Sequence, residues 1–135
     1  LSLNFEQYKP KVYLHWMKKK GEDKNAFLKG NIYPGVDIIL FSNKRKEEKT
    51  HPDFVAWFYT KKNKKGFSKG IYSKISIYIN KTDDGEEIMF AKVGIYTYWY
   101  IIKNYAKHNH EDPDYYLYET PQLDGTPDYT KHEGE

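Results

Sequence analysis

Short apolar runs separated by polar, lysine-loaded connectors dominate the first three-quarters of the chain. Val12 to Met17, Ala26 to Tyr33 and Val36 to Phe41 each read as a strand, rich in β-branched and aromatic residues. Pro34-Gly35 breaks the second run from the third. The third is apolar but for Asp37 and reads as a strand buried on both faces. Phe54 to Thr60 alternates, with Phe54, Ala56 and Phe58 on one face and Val55, Trp57 and Tyr59 on the other. Ile71 to Asn80 keeps the same period: Ile71, Ile75, Ile77 and Ile79 face one way, and Tyr72, Lys74, Ser76, Tyr78 and Asn80 the other. Thr82-Asp83-Asp84-Gly85 supplies a hairpin turn, its Asp-Gly pair offering the positive φ angles of a tight primed turn.

Ile88 to Tyr105 is too long for one strand, and Gly94 is a natural bulge or bend. Strand is expected up to Val93. From Ile95 to Ala106 two patterns compete: Ile95, Tyr98, Trp99, Ile102 and Tyr105 recur at helical spacing, while the composition favours strand. Residues 107–135 carry three prolines and no apolar periodicity, which reads as a tail or extended arm. The expectation is a mostly β domain over 1–106, a small OB-like barrel or strongly twisted antiparallel sheet of about five to six strands with a possible helix near 95–106. An acidic, proline-containing tail or arm over 107–135 would follow. Pro52-Asp53-Phe54, Pro113-Asp114-Tyr115 and Pro127-Asp128-Tyr129 repeat one tripeptide pattern. Repeated turn starts account for it; a docking motif displayed more than once is the alternative.

Charge sharpens this picture. Residues 1–105 carry 20 basic and 11 acidic side chains, a net +9, whereas 106–135 carry 2 and 8, a net −6. Arg45 is the single arginine. Lysine meets phosphate as a mobile point charge, and arginine is the residue that reads base edges in bidentate fashion, so sequence-tolerant contact with a polyanion fits best. Aromatics make up 18% of the chain, with 14 tyrosines, which argues against disorder over most of it. With no cysteine, disulfides and thiolate metal sites are excluded. No apolar run reaches membrane-spanning length, and the first residues lack the pattern of a signal peptide, so a cytoplasmic protein is expected.

Between Asp53 and Tyr105 aromatic and lysine residues interleave. Trp57, Tyr59, Phe67, Tyr72 and Tyr78 would stack bases, and Lys61, Lys62, Lys64, Lys65, Lys69 and Lys74 would meet phosphates. This segment and the acidic end make the chain resemble single-stranded-DNA-binding proteins of the OB-fold class. The resemblance implies base stacking on sheet aromatics and an acidic tail that recruits partners or competes for the basic groove. Tails of many bacterial members end in an apolar tip, whereas this chain ends Lys131-His132-Glu133-Gly134-Glu135. The implied role is sequence-tolerant binding of single-stranded DNA or RNA, encoded by a virus, phage or mobile element, with homo-oligomerisation open. A protein-binding module, such as a viral inhibitor of a host enzyme or an assembly subunit, is the alternative, because Tyr- and Trp-rich surfaces also serve protein interfaces.

No P-loop, nucleophile elbow or dinucleotide fingerprint is present, and no enzymatic role or cofactor is expected. His108, His110, Glu111 and Asp114 form the one metal-like cluster, but a structural site needs ligands fixed by packing, so no metal is expected. His15 reads as a partly buried strand residue and His51 as a turn residue.

Overall fold

The computed structural model describes residues 5–19, 22–60 and 71–127. It contains eight strands: β1 (Val12–Lys19), β2 (Glu22–Tyr33), β3 (Val36–Ser42), β4 (Phe54–Thr60), β5 (Ile71–Lys81), β6 (Glu87–Lys92), β7 (Tyr98–Lys103) and β8 (Tyr115–Thr120). Each pairs antiparallel with the next, and β8 returns to β1, closing an up-and-down barrel. The mostly β expectation holds. The expected five or six strands of an OB-like arrangement become eight in a simple meander. Among the described residues no helix is long and apolar enough to cross a membrane.

Two expectations at the C-terminal end are corrected. The segment near 95–106 is not a helix: Val93 and Gly94 donate their backbone N–H groups to Thr97 O, the chain reverses, and β7 follows. The acidic arm is not separate from the domain over its first part, since 115–120 form β8, hydrogen-bonded to β7 on one side and β1 on the other. A barrel leaves no open edge, and this strand is the closing piece.

Alternation sends one side of every strand inward. Val12, Leu14, Leu28, Ile32, Ile38, Leu40, Ala56, Ile77, Met89, Ala91, Trp99, Ile101 and Leu117 form the interior cluster. Phe58 and Trp99 meet edge to face across it, with ring centroids 5.8 Å apart. A second cluster lies on the outer wall of β5–β7. Tyr78, Ile88, Phe90, Tyr98 and Tyr100 are buried there against Phe5, Ile102 and Leu123. The segments before β1 and after β8 therefore cover this wall. Tyr100 ties the second of them down: its hydroxyl lies 2.7 Å from Thr126 Oγ1 and accepts the Leu123 N–H at 2.8 Å.

Turn chemistry follows the glycines that need positive φ. Gly35 (76°) lets the chain reverse after Pro34, and Gly85 (85°) does so at the β5–β6 tip. Among the described residues no non-glycine has positive φ, so Asp84 does not take the primed-turn conformation expected of an Asp-Gly pair. The tip is instead a wider turn, with Gly85 N–H donating to Thr82 O and Thr82 N–H to Glu86 O. β3 is not buried on both faces: Phe41 is exposed at its end, on the outer wall against Phe27.

The barrel is built from one four-stranded unit used twice. Moving β2, β3 and β4 forward by 61 residues, and β1 by 63, maps the central registers of the first unit's strand pairings onto those of the second. His15↔Lys29 maps to Tyr78↔Phe90, Leu28↔Leu40 to Met89↔Ile101, and Asp37↔Tyr59 to Tyr98↔Thr120. The two seams joining the units also correspond: Phe54↔Ile77 across β4–β5 and Tyr115↔Leu14 across β8–β1. Interior positions pair accordingly, as Leu14 with Ile77, Leu40 with Ile101 and Ala56 with Leu117.

The repeated Pro-Asp pattern is the clasp of each unit. In the first, Asn43 donates its backbone N–H to Asp53 O and its side-chain amide to Pro52 O, both at 2.8 Å. Asp53 N–H donates to Ile77 O, Asp53 Oδ2 accepts the Ile79 N–H at 2.7 Å, and Lys46 Nζ sits 3.0 Å from Asp53 Oδ1. In the second, Asn104 donates to Asp114 O and Pro113 O, both at 2.9 Å. Asp114 N–H donates to Leu14 O, Asp114 Oδ2 accepts the Trp16 N–H at 2.8 Å, and Lys107 Nζ sits 2.8 Å from Asp114 Oδ1. Each clasp thus fixes a strand start to the neighbouring unit. These two copies of the tripeptide are structural parts of the barrel wall; Asp128 of the third lies outside the described residues.

Candidate nucleic-acid interface

β4 and β5 carry the expected site. Alternation places Phe54, Ala56 and Phe58 against the interior cluster, so Trp57 projects from the outer wall. Its cross-strand partner is Lys74, which is exposed, while Trp57 is half-buried. In a directly opposed antiparallel pair the two Cβ atoms stand about 5 Å apart, so ring and ammonium are neighbours on one face. Tyr59 and Tyr72 sit on these strands, but their side chains are outside the described set, as are Lys61, Lys62, Lys64, Lys65, Phe67 and Lys69 entirely. The connection containing those lysines leaves β4 at Thr60 and enters β5 at Ile71, at the same barrel end as Trp57 and Lys74.

Tyr78 is largely covered and meets only the lining of the cleft beside this pair. It belongs to the covered outer cluster, only 9% exposed, its ring 6.0 Å from Phe90. Its hydroxyl donates to Thr50 O at 3.2 Å, so the β3–β4 connection lies over it. The Tyr-Lys-Ser-Tyr-Asn face of β5 changes character along its length: Lys74 and Ser76 meet solvent and Tyr78 does not.

A cleft of about 710 Å³ opens beside this pair. The β5–β6 ladder runs from Lys81↔Glu87 only to Tyr78↔Phe90, and below it the wall parts. Lys74, Ser76 and Tyr78 of β5 line it together with Lys92 and Thr97, and Tyr33 and Glu119 also open on it. The equivalent seam of the first unit is closed by Gly30. A Cβ there would come within 2.6 Å of both Tyr13 O and Val12 Cγ1, so only glycine lets β1 and β2 approach. Its counterpart in the second unit is Ala91. Glu119 is neutralised in place, accepting the Trp99 Nε1–H at 3.1 Å and lying 3.5 Å from Lys11 Nζ. Two lysines, Lys74 and Lys92, stand on the lips.

The opposite barrel end offers other chemistry. A mouth of about 440 Å³ is lined by Phe54, Ile79, Met89, Ile101 and Tyr115 beneath the Gly85–Glu87 turn and Tyr105. The His108–Asp114 loop lies there too. Asp112 Oδ2 accepts the backbone N–H groups of Asn109 and His108, bonds that hold its carboxyl below the usual carboxylate range. Burial would raise the Asp114 carboxyl, but Lys107 and the Trp16 N–H outweigh it and the net direction is down. Asp114 is committed to its clasp, and among the described residues no group of three or more His, Cys, Asp or Glu side chains is placed to hold a metal ion. His15 is half-buried on β1. His51 Nδ1 accepts the Glu47 and Glu48 N–H groups within its turn.

Sequence reasoning missed a second aromatic group. Tyr13 and Tyr33 are 54% and 50% exposed on β1 and β2, Tyr116 meets Tyr13 edge to face at 5.6 Å, and Lys11 Nζ lies 4.9 Å above the Tyr33 ring. The pairing of β1 with β2 brings Lys11 and Tyr13 to Tyr33, and the closure of β8 onto β1 adds Tyr116. Compared with known proteins, the chain matches no family model, no curated protein and no solved structure.

Proposed function

We propose that this barrel binds single-stranded nucleic acid, DNA in the first instance, without reading its sequence. The observation that carries the reading is the opposed pair Trp57 and Lys74 on the outer wall of β4–β5, at the barrel end reached by the lysine-rich 61–70 connection. A ring that stacks on any base, beside a cation that meets any phosphate, gives affinity without base-edge discrimination. Tyr78 takes no part. Lys92, across the cleft, extends the basic rim.

Fluorescence titration with oligo-dT at several salt concentrations tests this. If Lys74 and the lysines of the connection make about five phosphate contacts, log affinity falls with log salt at a slope near −3.5, at ~0.7 per contact on a single strand. Trp57→Ala weakens binding by about 1–3 kcal/mol, one stacked base, with an unchanged circular dichroism spectrum. A salt-independent signal, or full affinity in folded Trp57→Ala, removes the proposal.

A further inference from the structure

The internal repeat has a consequence for where such a strand would run. The two units meet at two seams, and each carries an aromatic–lysine pair at the same position. Across β4–β5 it is Trp57 opposite Lys74. The same offsets of 61 and 63 lead from these to Tyr118 and Lys11 across β8–β1. There Lys11, just before β1, donates its backbone N–H to Leu117 O at 2.8 Å, beside the last paired position Val12↔Leu117. Phe5 stacks on Tyr118, with ring centroids 4.5 Å apart and planes at 29°. One seam thus already holds a flat ring on the residue that corresponds to Trp57.

From this geometry we infer that the β8–β1 seam is a second contact surface for the same single strand. This rests on the nucleic-acid reading above. Tyr13 and Tyr33 are the stacking rings there, both at least half exposed, and Lys11 is the phosphate contact between them. Lys11 is held in place by the Tyr33 face and by Glu119. Because Glu119 also accepts the Trp99 indole N–H, it keeps a partner when a phosphate draws Lys11 away. Lys9, exposed just before β1, adds charge of the sign a polyanion needs. A strand touching both seams gains from tethering: once one is occupied, the other is filled at high effective concentration.

The test uses the full chain and two probes, oligo-dT of about 8 and about 24 nucleotides, bracketing the site sizes of small single-strand binders. Tyr13→Ala/Tyr33→Ala is expected to lower affinity for the long probe about tenfold or more, and the wild-type preference for the long probe shrinks. Lys11→Gln, which leaves both rings in place, lowers the salt slope by about 0.7. That variant also serves if the double tyrosine substitution disturbs folding. Long-probe affinity and salt slope both at wild-type values in these variants, with Trp57→Ala still impaired, overturn the second seam and leave the first reading standing. The same result would follow if this patch served a protein partner. No binding of either probe by the wild type removes both readings.

Discussion

The clasps are the most quantitative commitment of the fold. Asp114→Ala removes a carboxylate that accepts the Trp16 N–H at 2.8 Å and pairs with Lys107 at 2.8 Å. A hydrogen bond to a charged acceptor contributes about 1.5–3 kcal/mol. The Lys107 ammonium is 30% exposed, so its share is at the surface level, about 0.2–1 kcal/mol. The expected loss is about 2–3 kcal/mol. Asp53→Ala deletes the counterpart bonds to Ile79 N–H and Lys46, at 2.7 and 3.0 Å, and should cost the same. The two sites share no partner and lie on opposite seams, so their effects add. A double variant losing about 4–6 kcal/mol approaches the whole stability of an ordinary domain. Urea unfolding followed by tyrosine and tryptophan fluorescence measures this. A cost below about 0.5 kcal/mol for either single change, or a difference between them above about 1 kcal/mol, contradicts the equivalence of the two units. Acid provides an independent arm. The Asp114 carboxyl is more acidic in the folded protein than in the unfolded chain. Its charge therefore stabilises the fold above the unfolded value of about 3.9, and that contribution is lost as pH falls through the lower folded value. The gap between wild type and Asp114→Ala should narrow below about pH 4; a gap that stays constant to lower pH would show that the ionised carboxylate is not its source.

Two further changes probe the walls. Gly30→Ala places a methyl group 2.6 Å from Tyr13 O, a backbone atom that cannot swing aside, and should cost about 1–3 kcal/mol in urea unfolding. Gly94→Ala, where the nearest heavy atom is 3.5 Å away, should stay within about 0.5 kcal/mol, and equal costs would refute the close approach of β1 to β2. Tyr100→Phe leaves the Leu123 N–H and Thr126 hydroxyl without the phenol and should lower stability by about 1–3 kcal/mol. Faster amide exchange at Leu123 to Thr126, with β2 to β4 unchanged, is the accompanying signature.

How much of this was legible depends on how each wall is covered. Ile71 to Asn80 read correctly as a strand because Ile75, Ile77 and Ile79 pack inward while Lys74 and Ser76 meet solvent, giving period-two contrast. The stretch 98–103 carries apolar residues on both sides because both are buried: Trp99 and Ile101 in the barrel, Tyr98 and Tyr100 under the terminal segments. With both faces apolar, period two vanishes and an accidental helical spacing shows through. β8 was hidden for another reason. Tyrosines occupy inward and outward positions alike, and the acidic residues around it suggested a solvated arm. Those acids are instead partners inside the domain, Asp114 with Lys107 and Glu119 with Lys11. Of these, the Glu119–Lys11 pair crosses between the +9 and −6 segments. Tyr78 is covered where alternation placed it on an open face, because its cover, the turn containing Thr50, comes from 28 residues earlier, beyond the reach of any strand-local pattern.

The repeat also says where to look for function. Two copies of one unit closed into a ring need equivalent interiors and equivalent seams, and these are the features that match, from Leu14 and Ile77 to the paired clasps. Stability requires no difference between the outer walls, yet they differ. The second unit buries Tyr98, Tyr100 and Phe90 beneath Phe5 and Leu123, while the corresponding positions of the first hold Asp37, Ile39 and Lys29. One β-seam is zipped shut at Gly30, and its counterpart at Ala91 parts into the cleft beside Lys74 and Lys92. Covering one wall with the chain's own termini uses up its aromatic rings, as Phe5 on Tyr118 shows. Among the described residues, rings that remain open to a ligand include Tyr13 and Tyr33 at one seam, with Trp57 half-buried at the other. Both sets stand beside lysine, the combination that a flexible polyanion bearing flat bases would select.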